Sequence, residues 1–272
     1  MSEQLVNQPV LPKQTAAFVG DLFNAYQTRK PLVEADYTGL VEDEQTAYEV
    51  QRELTAKKNE HVGGYKVSLT SKQTQDMFDS DSPLYGAQVA SRFVQSPANL
   101  HLSTQLMAPL AEVEMLFTAK ERLSSRDSLT DLFHKTKVAA AVEVPDSRFS
   151  NWFPSLSKYM VMADAAVGGY VVYGTEMDTD QLFENVDDLA NVYCELFHDD
   201  QKLKDGASSE VLGNPLNSLK WLVDKLEAQG MPLLAGQRVS SGTFLLPETL
   251  TNGNWKATFD KGLGAVFVNV TD

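Results

Sequence analysis

The sequence predicts an α+β fold with a mixed sheet, and three observations carry that prediction. Helical periodicity fills the stretch before residue 62. β-rich runs dominate after the Gly63-Gly64 pair. Amphipathic helices are inserted among those runs. The first ten residues are polar and, with Pro9 and Pro12, predict a loose start. From Thr15 to Thr28, Phe18, Leu22 and Tyr26 recur at i, i+4 and i+8, the spacing of one helix face, and Pro31 ends the pattern. A second helix is predicted over Glu42–Lys58, with Ala47, Val50, Gln51 and Leu54 along one stripe. Together these predict a helical N-terminal cap over residues 1–62, ahead of a β-rich domain over 63–272.

Beyond residue 64 the alternation in Tyr65–Leu69 reads as a strand. Leu106–Thr118 is long and apolar but interrupted by two acids. Lys137–Val144 is small and β-rich, and Gly169–Tyr173 reads as a buried strand. Val192–Phe197 and Gln201–Leu203 flank His198-Asp199-Asp200 as a hairpin. Trp255–Phe259 and Ala265–Val270 flank a second turn at Asp260-Lys261-Gly262. Ser128-Leu129-Thr130-Asp131 is a capping-box pattern. Asn217–Gln229 carries Leu219, Leu222 and Leu226 on one face, with Gly230 placed to end the helix.

Composition excludes several functions. The 272 residues include 37 acidic and 23 basic side chains, a net charge of −14. Such a field repels phosphate backbones and anionic lipid surfaces, so neither nucleic acid nor a membrane is an expected partner. No run reaches the roughly 18 apolar residues of a membrane span, no secretory signal is read at Met1–Phe18, and the chain reads as cytoplasmic. Cys194 is the sole cysteine, so neither an internal disulfide nor a cysteine-rich metal site is available. The sequence holds no G-x-S-x-G elbow, no phosphate-binding loop and no strand-borne G-x-G-x-x-G. His61, His101, His134 and His198 fall in loops or predicted helices with no partner motif.

The informative stretch is Leu110-Ala111-Glu112-Val113-Glu114-Met115. On a strand, residues i and i+2 share a face, which sets Glu112 and Glu114 side by side, opposite Val113 and Met115. Two carboxylates so placed either face water or share a hard divalent cation. Glu143 closes the apolar run Ala139-Ala140-Ala141-Val142. A buried lone carboxylate needs a partner: Arg148 offers one, and a metal held by three glutamates is the other reading. Lys66 shares a strand face with Ser68, so it is either a surface lysine or a group that binds a carboxylate or moves a proton.

In order along the chain, the landmarks are Ala47-Tyr48-x-Val50-Gln51, Gly64-Tyr65-Lys66-Val67-x-Leu69-Thr70-Ser71-Lys72, Pro83-x-Tyr85-Gly86 and Glu112-x-Glu114. They continue with Val142-Glu143, Ser147-Arg148-Phe149, Trp152 and Ala163-Asp164. The last are Gly213-x-Pro215-Leu216-Asn217 and Leu234-Ala235-Gly236 leading to Ser241-Gly242-Thr243. This series resembles the 2-keto-4-pentenoate hydratase family of the fumarylacetoacetate hydrolase superfamily, from about Ala47 to the end. The resemblance implies a mixed β-roll catalytic domain preceded by helices. It implies hydration of 2-hydroxypenta-2,4-dienoate, with decarboxylation of 2-oxohex-3-enedioate in close relatives. It also implies Mg²⁺ or Mn²⁺ at Glu112, Glu114 and Glu143, and a homo-oligomer acting on a small 2-oxo acid or dienoate.

The family lysine maps onto Lys66, expected to anchor substrate or assist the enol–keto proton transfers, with Asp81 a second catalytic candidate. Leu69, Arg148, Ser241 and Thr243 are the expected substrate-binding residues. Two departures stand out: Ser68 replaces a glycine of many members, and Asp164-Ala165-Ala166-Val167 replaces a polar Asp-Asn-Ala-Ser stretch. The metal set is intact while the substrate-reading part is altered. That keeps open a different substrate, or a weakly active relative that binds a metal or small acid. Acylpyruvate hydrolysis, known in other superfamily members, lacks a placed histidine.

Overall fold

Both N-terminal helices form where the apolar stripes predict them. The computed structural model describes residues 11–272, so the expected loose start at 1–10 lies outside the described residues. Helix α1 (Lys13–Thr28) buries Phe18, Leu22 and Ala25, and stops at Arg29, whose left-handed φ of 59° lets its N–H return to the Ala25 carbonyl. Helix α2 (Glu44–Lys57) is capped by Asp43, whose carboxylate accepts from the Thr46 N–H at 2.8 Å.

The chain continues through β1 (Val62–Ser68), α3 (Lys72–Met77), β2 (Leu84–Val89), β3 (Phe93–Gln95), β4 (Ala98–His101) and α4 (Leu102–Gln105). Next come β5 (Leu110–Ala119), α5 (Leu129–His134), β6 (Thr136–Val144), α6 (Lys158–Ala163), β7 (Tyr170–Tyr173), β8 (Met177–Asp178) and α7 (Thr179–Leu182). The last elements are β9 (Tyr193–His198), β10 (Gln201–Ala207), α8 (Pro215–Ala228), β11 (Arg238–Thr243), β12 (Glu248–Thr249), β13 (Gly253–Phe259) and β14 (Gly264–Thr271). The larger sheet runs β2-β1-β11-β5-β6-β7-β3, with β12 on β5 and β8 on β6; the smaller runs β10-β9-β13-β14-β4. The β1–β11, β3–β7 and β4–β14 pairs are parallel within otherwise antiparallel ladders, so the sheets are mixed as expected.

Some boundaries differ from the sequence expectation. The strand expected from Leu106 begins at Leu110, because the Met107 and Ala108 N–H groups donate to the Asp146 carboxylate instead of to a ladder. The first hairpin turns on Asp199 and Asp200, both left-handed, and its second strand runs on to Ala207. His101 and His198 end strands instead of lying in loops or helices.

The N-terminal helices share one core with the sheet. Phe18, Val50 and Leu54 belong to the same buried cluster as Val67, Val113 and Val142. Gln51 ties α2 to the edge strand β2: its Nε2 donates to the Tyr85 and Met162 carbonyls, and its Oε1 accepts from the Ala87 N–H. This buried amide has its hydrogen bonds filled by backbone.

Candidate metal centre and active site

Four neighbouring strands of the larger sheet assemble the site: β1, β11, β5 and β6. The β5–β6 register sets Glu112 directly opposite Glu143. Two residues along β5, Glu114 emerges on the same face, as strand pleating requires. One oxygen from each of Glu112, Glu114 and Glu143 lies within 4.8 Å of the others. Glu114 and Glu143 are buried and Glu112 is partly exposed.

The neighbours of each carboxylate are specific. The Glu114 Oε2 accepts from the Ser240 hydroxyl at 2.6 Å and the Gly242 N–H at 2.8 Å. That N–H is available because the β11–β5 register breaks between Ser240 and Thr243, and Gly242 bends there at φ 110°. A side chain at Gly242 would collide with Thr70. Lys66, 1% exposed, forms an ion pair with Glu143 Oε1. The Glu114 Oε1 and Glu143 Oε2 are buried without a hydrogen-bond partner.

These groups perturb one another. Burial, reinforced by the charge of Glu143, raises the Glu112 carboxyl pKa, and burial with the neighbouring glutamates raises that of Glu114 further. Burial alone would lower the Lys66 pKa, but Glu143, Glu112 and Glu114 together hold it above the usual lysine value. Three carboxylates against one ammonium leave two negative charges, which one divalent cation would offset. An all-oxygen donor set with unpartnered buried oxygens, three ligands on one side and a cavity on the other, fits Mg²⁺ or Mn²⁺.

A cavity lies against this cluster. Its lining includes the polar Lys66, Ser68, Glu112, Glu114 and Thr243 and the apolar Leu69, Phe78, Trp152, Phe153, Val161 and Val167. The structure places Lys66, the three glutamates, Leu69 and Thr243 near one another. Three expected site residues are not among them. The Arg148 guanidinium is buried in an ion pair with Asp164 and donates to the Gly168 and Asp164 carbonyls, so it faces neither Glu143 nor the cavity. The Ser241 hydroxyl is buried without a partner and lies outside the cavity lining, because alternation on β11 gives the metal-facing place to Ser240. Asp81 lies in the exposed α3–β2 loop and does not line the cavity.

Ser240, which donates to Glu114, and Val161, which lines the cavity, are residues the motifs did not single out. Period-two alternation back from Thr243 would not find Ser240 either, because the bulge shifts the face between them. None of the four histidines lines the cavity.

A mixed-sheet α+β fold thus carries three clustered glutamates and a buried lysine at a cavity. The chain matches 4-oxalocrotonate decarboxylase from Pseudomonas putida G7, solved with magnesium and adipate, at TM-score 0.85 and 24% identity, covering 97% of this chain and 100% of that one. It also matches fumarylpyruvate hydrolase from Pseudomonas aeruginosa, solved with Mn²⁺ and pyruvate, at TM-score 0.59 and 15% identity over 76% and 88% of the two chains. No protein-family model matches. The 2-keto-4-pentenoate hydratase of Burkholderia vietnamiensis is 31% identical over 236 residues, covering 85% of this chain and 87% of that protein. The chain belongs to the 2-keto-4-pentenoate hydratase family.

Proposed function

We propose that the protein is a Mg²⁺- or Mn²⁺-dependent hydratase that adds water to a 2-hydroxy-2,4-dienoate such as 2-hydroxypenta-2,4-dienoate, by way of its 2-oxo-enoate form. The observation that carries this reading is the trio Glu112, Glu114 and Glu143, with unpartnered oxygens converging beneath a cavity that also contains Lys66. These glutamates would hold the cation, which when bound polarises the keto oxygen of a 2-oxo acid and stabilises developing enolate charge. Ser240 and the Gly242 N–H fix the Glu114 carboxylate so that its other oxygen stays free for the ion. Lys66, ion-paired with Glu143 at the cavity, is placed to bind the substrate carboxylate or to hand a proton to the enol–keto system. Trp152 and Val161 screen the reacting end from bulk water. In this reading the N-terminal helices serve as a cap on the catalytic unit, and the protein works as a homo-oligomer in the cytoplasm.

A second reading is decarboxylation of a 2-oxohex-3-enedioate on the same platform, favoured by the whole-chain structural likeness to a decarboxylase. Product analysis separates the two, because only decarboxylation releases CO₂. The first test needs no substrate. Mn²⁺ titrated into metal-stripped protein by calorimetry is expected to fill one site per chain, and Glu143→Gln is expected to weaken it severely. Absence of binding in the wild type would remove the metal-enzyme reading.

A further inference from the structure

Three cations meet on one tyrosine. The centre of the Tyr26 ring, on α1, lies 4.7 Å from the Lys58 ammonium, 4.9 Å from the Arg92 guanidinium and 5.4 Å from that of Arg29. The Arg92 guanidinium is also 4.3 Å from the centre of the Tyr170 ring. Arg29 follows α1, Lys58 follows α2, Arg92 joins β2 to β3 and Tyr170 opens β7, so separate segments build the cluster. None of these residues lines the cavity at the glutamates. Arg92 is buried, and Arg29 and Lys58 are half-buried.

Like charges gathered in this way repel, and a chain so rich in acids could have neutralised them. It does not. Arg148 pairs with Asp164 and Arg238 with Glu176, but Arg29, Lys58 and Arg92 form no ion pair among the described residues. The carboxylates that pull on Arg29 and Lys58 from farther off are Glu60, Asp146 and Asp164. Each is engaged elsewhere. Glu60 accepts from the Ser91 N–H at 2.8 Å and its hydroxyl at 2.9 Å, Asp146 from the Met107 and Ala108 N–H groups, and Asp164 from Arg148. Of the donors on the three cationic side chains, only Arg92 Nε makes a hydrogen bond among the described residues, to the Tyr26 hydroxyl at 3.2 Å. The Arg29 Nε is buried without a partner. Burial and then the Arg92 charge lower the Arg29 pKa, so the cluster is electrostatically unsatisfied as it stands.

Two features offset part of the charge. The C-terminal ends of α1 and α2 each carry about half a negative charge, and the tyrosine faces attract cations. About two positive charges remain, with guanidinium forks that no protein acceptor fills. A tetrahedral dianion matches both, because guanidinium groups bind such oxygens in pairs of parallel hydrogen bonds.

We propose that Arg29, Lys58 and Arg92 form a binding site for a phosphate group, free or carried on an ester, which ties the ends of α1 and α2 to the connection between β2 and β3. Binding there is linked to protons through Lys58. That ammonium shares the Tyr26 ring with Arg29 and Arg92, and it feels Glu60 on its own segment and Arg148 and Asp164 from the β6–β7 segment. Free of anion, it loses its proton as pH rises through about 7. The anion must restore that proton above this pH, and so binds more weakly there.

Calorimetry on the full chain without added metal tests the site. Inorganic phosphate at pH 7 should fill one site per chain, and Arg29→Gln should weaken it about tenfold or more. Tighter binding of glycerol 3-phosphate would assign the site to esters, and equal or weaker binding to the free ion. Sulfate, a dianion that does not titrate in this range, should bind about tenfold more weakly at pH 8 than at pH 6, and Lys58→Met should remove that dependence. Lys66→Met should leave phosphate binding unchanged. Absence of phosphate binding in the wild type would overturn the site, as would unchanged affinity in both Arg29→Gln and Lys58→Met. Binding lost in Lys66→Met but kept in Arg29→Gln would move the anion to the glutamate cavity and overturn it too.

Discussion

Lys66 and Glu143 form a buried pair with a third and a fourth charge close by, and that changes what removing the lysine should do. In an ordinary buried ion pair, loss of one partner leaves an uncompensated charge and destabilises strongly. Here the orphaned carboxylate belongs to a cluster able to take a divalent cation. Lys66→Met is therefore expected to retain Mn²⁺ binding, or to tighten it, while turnover falls about 10²–10⁴-fold, the range for a positioned proton-transfer group. Calorimetry and kinetics on the same sample check this; near-normal turnover with metal bound would contradict it. The shared face of Glu112 and Glu114 was legible in the sequence from strand periodicity alone, whereas Lys66 and Glu143 entered as site residues through the family resemblance. The partner of Glu143 was not legible. Arg148 is near it in the chain, but the Asp164 carboxylate captures the guanidinium, and that contact depends on how the 164–168 turn folds back.

At the scale of elements, those with local signals were the most readable. The caps at Asp43 and Ser128, the stripe of α8 and the two hairpin turns are set by residues within a few positions of one another. The bulge at Ser241-Gly242 belongs to the pairing of β11 with β5, a long-range register that period-two alternation does not reveal, so Ser240 and not Ser241 meets Glu114. The end of α2 supports a pH prediction. Lys58, half-buried, sets its ammonium 4.7 Å from the centre of the Tyr26 ring. Arg29 and Arg92 crowd the same ring. Burial first, then the like charges of Arg148 and Arg92, pull its pKa down to about 7, against the opposing pull of Asp164 and Glu60. The folded state releases this proton near pH 7, whereas the unfolded chain keeps it until about pH 10.4. The contribution of Lys58 to stability is thus lowest below pH 7 and improves as pH rises through that window. Lys58→Met should stabilise most at pH 6 and progressively less toward pH 10, measured as the difference in denaturant midpoint from wild type. A difference independent of pH would contradict the lowered pKa.

The whole molecule combines a net charge of −14 with a cluster of three carboxylates at the meeting of β5 and β6. Both favour cations, the first by raising their local concentration and the second by binding one. Mg²⁺ at 100 times its Kd should add about 2.7 kcal/mol to the stability of metal-stripped protein, seen as a Tm rise of several degrees for a chain of this size. Glu114→Gln should abolish most of that rise; an equal rise in the variant would place the ion elsewhere. The α+β class and the mixed sheets were legible from the order of helical and β-rich runs. The union of helices and sheet into one core was not, because long-range contacts such as those of Gln51 with Tyr85 and Met162 leave no local signature.

The Lys66–Glu143 pair also bears on the life of the chain before any ion arrives. A newly made polypeptide with three bare carboxylates in its sheet would have to wait for metal before closing. Here a resident ammonium stands in for part of the missing charge, and the raised pKa values of Glu112 and Glu114 let protons supply the rest. Metal-stripped protein is therefore expected to fold on its own, checked by a cooperative unfolding transition in the presence of a chelator.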